Sequence, residues 1–68
     1  MKCKLCYRYK KAPIGTVNAV KCDSLKAAED RYETIQNDVA KAYVKIFDGS
    51  YWQVYRVLKP EGNDNGTD

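Results

Sequence analysis

The sequence predicts a small α+β domain: an antiparallel four-stranded sheet packed on one helix, in the order β-β-α-β-β. Three observations predict it. Residues 2–10 alternate polar with apolar, residues 25–39 carry apolar side chains at spacings of three and four, and residues 40–58 hold two β-branched and aromatic runs parted by Asp48-Gly49-Ser50.

The first run places Cys3, Leu5, Tyr7 and Tyr9 on one side and Lys2, Lys4, Cys6, Arg8 and Lys10 on the other. Successive strand residues point to opposite faces, so this is a half-buried strand with a basic outer face. Lys11-Ala12-Pro13-Ile14-Gly15 interrupts it, and Thr16 to Cys22 reads as a second strand closing a hairpin. Its pattern leaves two choices for the buried pair, Val17 with Ala19 or Val20 with Cys22, and admits a bulge.

Asp23 or Ser24 then offers a side-chain oxygen to cap a helix, whose apolar stripe is Leu25, Ala28, Tyr32, Ile35 and Val39. Lys26, Glu29, Asp30, Glu33 and Asn37 form the solvated face, and Asn37-Asp38 closes the helix because both residues favour turns. In the second hairpin, Gly49 accepts the positive φ that a tight loop needs. A three-residue loop would set Phe47 opposite Tyr51. Ala42, Val44 and Ile46 would then share the core side with Trp52, Val54 and Leu58, leaving Tyr43, Lys45, Phe47, Tyr51, Gln53 and Tyr55 outside. A two-residue turn would flip one strand, and Arg56 on the core side of the first register counts against it. Residues 60–68 contain no large apolar side chain and read as a disordered acidic tail behind a single domain of residues 1–59.

At 68 residues the chain has room for one core, and 44% hydrophobic with 31% charged residues is an ordinary globular balance. No apolar run approaches the roughly 20 residues that span a bilayer, and the N-terminus lacks a signal peptide's apolar stretch, so an intracellular location is expected. Cys3, Cys6 and Cys22 are odd in number, which favours reduced thiols over a disulfide scaffold. Cys3 and Cys6 have C-x-x-C spacing, but there is no histidine to complete a zinc site with Cys22. No cofactor or metal is expected, except as a zinc site shared between subunits.

Charge is unevenly spread. Residues 1–22 contain six bases and no acid, whereas residues 23–38 hold five acids and two bases. The strands are basic and the helix acidic, so the molecule is expected to be electrically two-sided. Lys2, Lys4, Arg8, Lys10 and Lys45, interleaved with tyrosines, suit a phosphate backbone or an acidic protein patch. They suit equally a solubilising edge, since a first strand is often a sheet edge where lysines discourage pairing. Tyr43, Phe47, Tyr51 and Tyr55 favour binding, because tyrosine presents an apolar ring and a wet tip to an interface. Alternation places Trp52 in the core. The residues expected to meet a partner are Lys4, Tyr7, Arg8, Tyr9, Tyr43, Lys45, Tyr51 and Tyr55. Catalysis is not expected: there is no histidine, phosphate loop or nucleophile elbow, and Glu29, Asp30 and Glu33 have no apolar surroundings.

Gly15-Thr16, then a strand, then Asp23-Ser24-Leu25-Lys26-Ala27-Ala28-Glu29, then Val44-Lys45-Ile46-Phe47-Asp48-Gly49 leading into residues 51–57, resembles small phage-encoded proteins, among them anti-CRISPR inhibitors of type I systems. The resemblance covers residues 1–58 as a pattern and contains no diagnostic motif, and no contact residue carries over from it. It implies a stoichiometric inhibitor, working in the cytoplasm of a bacterial host, that binds a defence complex and obstructs its nucleic-acid-binding surface. The alternatives are a direct nucleic-acid-binding module using the basic sheet face, and a homodimeric accessory protein whose aromatic face pairs with itself. The chain is expected to be a monomer or a homodimer.

Overall fold

The computed structural model describes residues 2–60. The expectation of a disordered tail falls on residues 61–68, outside those described. Five elements follow in order: β1 (Cys3–Tyr9), β2 (Asn18–Cys22), α1 (Leu25–Ile35), β3 (Val39–Phe47) and β4 (Trp52–Lys59). The strands form one antiparallel sheet in the order β2-β1-β3-β4, covered on one face by α1. This is the α+β class that the sequence predicts. The first strand, however, is interior, with a ladder on either side, so its lysines do not guard an edge.

Strand parity decides what faces the helix. Cys3, Leu5 and Tyr7 of β1 meet Val39, Ala42 and Val44 of β3 and Ala28 of α1 in a buried cluster. Val20 and Cys22 of β2 pack against it, while Val17 is 56% exposed, which settles the buried pair of the second strand. Ala28 is fully buried, and its small side chain brings the helix close to the sheet.

Ser24 caps α1: its backbone is extended, and its hydroxyl oxygen accepts from the Ala27 amide at 3.1 Å. That bond satisfies one of the amides a helix start leaves unpaired. The helix ends at Ile35, earlier than the apolar spacing suggests. Asp38 donates its amide to the Ile35 carbonyl at 2.9 Å, and Val39 begins β3 instead of closing the helical stripe. Lys59 Nζ reaches back from β4 to the carbonyls of Gln36 and Val39, at 3.1 and 2.8 Å, and so satisfies acceptors at the helix exit.

Three register shifts shape the sheet. Arg8 faces Lys41 but Tyr9 faces Val39, so Ala40 is an extra residue and both Val39 and Ala42 turn inward. In β4 the extra residues are Tyr55 and Leu58. The β3–β4 turn pairs Phe47 with Trp52, which leaves four residues, Asp48 to Tyr51, in the loop. Asp48 fixes it: its carboxylate accepts from the amides of Ser50 and Tyr51 at 2.7 and 3.1 Å and from the Gln53 side chain, while Gly49 takes φ 104°. These bonds hold the Asp48 carboxyl below its ordinary pKa.

The four-residue loop overturns the three-residue register. Gln53, Arg56 and Lys59 stand opposite Ile46, Val44 and Ala42 on the helix side, and Trp52 and Val54 stand opposite Phe47 and Lys45 on the other. Trp52 is therefore not a core residue. Of the expected β4 core side chains, Leu58 alone packs on the core, from its bulge. Arg56 is accommodated by pairing with Glu29 on the exposed face of α1.

The candidate binding face of the sheet

The face turned away from α1 is built from the even residues of β1 and their cross-strand partners. Lys4 lies opposite Lys21 on β2 and opposite Lys45 on β3, giving three ammonium groups in one row across three strands. Beside this row Cys6 faces Ala19 and Tyr43, and Arg8 faces Lys41. At the end of the sheet the Lys2 carbonyl accepts from the Phe47 amide at 3.1 Å, and Phe47 pairs with Trp52.

Directly opposed like charges destabilise a sheet, so a row of three lysines needs compensation. Aromatic rings supply it for Lys4 and Lys45. Lys4 Nζ lies 4.4 Å from the Trp52 ring centroid and Lys2 Nζ 5.6 Å from that of Phe47; Lys41 and Lys45 flank Tyr43 at 5.3 and 5.8 Å. Cation–π contacts at exposed sites contribute about 0.5–1 kcal/mol each. Phe47 and Trp52 pack at 5.4 Å with a 48° tilt. No carboxylate is among the strand residues on this face, whereas α1 carries Glu29, Asp30 and Glu33. Lys26 pairs with Asp30 one turn along that helix, at 3.4 Å.

The structure divides the eight residues expected to meet a partner. Lys4, Tyr43 and Lys45 come together on the open face. Arg8 belongs to the same face but is only 8% exposed, and its Nη1 donates to the Ala12 carbonyl at 3.2 Å, tying the β1–β2 loop to the sheet. Tyr7 is buried on the helix side, with Tyr9 packed edge-on against it at 5.3 Å, so neither joins the basic face. Tyr51 lies in the β3–β4 turn and Tyr55 on the β4 bulge, both exposed. Lys21, Lys41 and Trp52 were not legible as members. Their membership depends on which strands are neighbours and on the turn length.

Burial raises the Cys6 thiol pKa, against the opposing pull of Lys4 and Lys45; Tyr43 rises too, by burial and by its proximity to Cys6. Cys3 and Cys6 lie on opposite faces, and the Cys3 thiol donates to the Cys22 carbonyl at 3.3 Å. Among the described residues no cluster of three or more cysteine and carboxylate side chains could hold a metal ion, and no helix is long and apolar enough to cross a membrane.

Where β1 and β4 begin and β2 and β3 end, a groove of about 520 Å³ opens, lined by Lys2, Lys4, Lys21, Asp23, Phe47 and Trp52 together with Cys3 and Cys22. Three ammonium groups and two aromatic rings on one concave surface suit an anion that carries a flat apolar part. No protein-family model, curated protein or solved structure matches this chain.

Proposed function

We propose that this chain is a non-catalytic binding protein of the phage inhibitor type, which occupies a surface of a bacterial defence complex of protein and nucleic acid in the host cytoplasm. The observation that carries the reading is the open sheet face: lysines at 2, 4, 21, 41 and 45 interleave with Tyr43, Phe47 and Trp52, and no strand carboxylate opposes them. An uncovered face of this composition suits a partner surface rich in phosphate or carboxylate, while Val54 and Val57, each more than half exposed, add apolar contact beside it. The resemblance to anti-CRISPR inhibitors supplies the class of target, a nucleoprotein defence complex whose nucleic-acid-binding surface would be obstructed.

The test is capture from bacterial lysate on the tagged protein, with and without nuclease, beside a variant carrying Lys4→Glu, Lys21→Glu and Lys45→Glu. The expected outcome is a defined multi-subunit complex that survives nuclease and is lost with the variant, whose circular dichroism stays that of the parent. Equal capture by the variant would remove the electrostatic basis of the proposal.

A further inference from the structure

We infer that the groove at the end of the sheet takes one nucleotide of a single-stranded nucleic acid, with its base against Trp52 and Phe47 and its phosphate among Lys2, Lys4 and Lys21. The inference rests on the open face being the working surface and names the ligand chemistry of one part of it. Three features carry it. The groove, at about 520 Å³, falls within the roughly 300–1,000 Å³ typical of small-ligand sites. Its three lysines are Lys2, immediately before β1, Lys4 within β1, and Lys21 on the adjacent β2, so a phosphate entering it meets positive charge from two neighbouring segments. Its aromatic wall is the tilted Phe47–Trp52 pair, and rings of this kind stack unpaired bases with little regard to sequence.

A duplex does not fit this chemistry, because its bases are already stacked on one another and offer no free ring to the wall. In the unliganded chain the Lys4 ammonium lies over the Trp52 ring. On binding, that ammonium passes to the phosphate and the ring to the base. Asp23 is the one carboxylate of the lining.

Trp52 is the single tryptophan, so its emission reports on the groove directly. The full chain is titrated with a thymidine dodecamer, with the same sequence as a duplex, and with thymidine monophosphate, at low salt. The dodecamer is expected to quench the emission, and the logarithm of affinity should fall against the logarithm of salt with a slope of about −0.7, as one neutralised phosphate on a single strand gives. With a fluorescent dodecamer read by anisotropy, Trp52→Ala should weaken binding by about 5- to 150-fold and Trp52→Phe far less, since stacking on one ring has that range. Lys21→Ala, on an exposed edge-strand side chain, should weaken it several-fold without threatening the fold. Undiminished binding by both Trp52→Ala and Lys21→Ala, equal affinity for the duplex, or no quenching by the mononucleotide even at millimolar concentration would overturn the assignment. Capture of a nuclease-resistant complex by Trp52→Ala at the level of the parent, together with any of those results, would leave the proposed function standing and remove the groove alone.

Discussion

Leu5 and Val54 have similar side chains, each lie in a stretch of alternating pattern, and differ sharply in what the fold does with them. Leu5 is fully buried between α1 and the centre of the sheet; Val54 is 56% exposed on the opposite face. Replacing Leu5 by alanine removes three carbons at about 0.8 kcal/mol each, or about 2.4 kcal/mol of transfer free energy. The unfilled space raises the total to about 2.7–5 kcal/mol, because a strand with a ladder on both sides has little freedom to collapse into it. A domain of this size has only about 3–10 kcal/mol in all, so the loss is a large share. Val54→Ala leaves no cavity and should cost less than about 1 kcal/mol, the span of strand propensity. Urea unfolding followed by Trp52 emission measures both. With a slope of about 1 kcal/mol per molar, Leu5→Ala should lower the midpoint by about 2.7–5 M, while Val54→Ala shifts it by less than about 1 M. Comparable losses for the two variants would refute the register that sends Val54 to the open face.

Two further outcomes are expected. Ser24→Ala should cost about 1 kcal/mol by freeing the Ala27 amide, visible as a melting temperature lower by about 4–8 °C. Burial raises the Cys3 and Cys6 thiols above their ordinary value of 9.0, so the folded chain keeps protons that the unfolded chain releases; the urea midpoint should fall as pH rises past 9, and Cys6→Ala should flatten that decline.

The elements governed by local chemistry were legible in the sequence. Ser24 caps because its hydroxyl reaches an amide three residues on, Gly49 takes a positive φ because it has no Cβ, and the alternation of β1 assigns Leu5 inward and Lys4 outward whatever its neighbours are. Period-two reading fails where residues are added without being counted. The four-residue turn reverses the parity of β4 at its start, and the bulges at Tyr55 and Leu58 reverse it twice more. No composition signal marks these positions, so Trp52 read as core and Arg56 as misplaced. Val39 continues the helical stripe by spacing, yet the chain has already left the helix at Ile35. The candidate face suffered likewise. Lys4, Tyr43 and Lys45 follow from alternation, but the row Lys21–Lys4–Lys45 exists only because β1 lies between β2 and β3, which no single strand encodes.

That central place of β1 also sets the order in which the chain can assemble. Each of the two hairpins closes over a short local loop, but the seam between them joins Cys3 to Ile46 across the helix and most of the chain. Loop-closure entropy makes this the slow contact, and Leu5 and Val44, which stand opposite each other on it, are its first large apolar gain. During synthesis the first hairpin would emerge with one ladder of β1 unfilled, and it would stay so until Phe47 had cleared the ribosome.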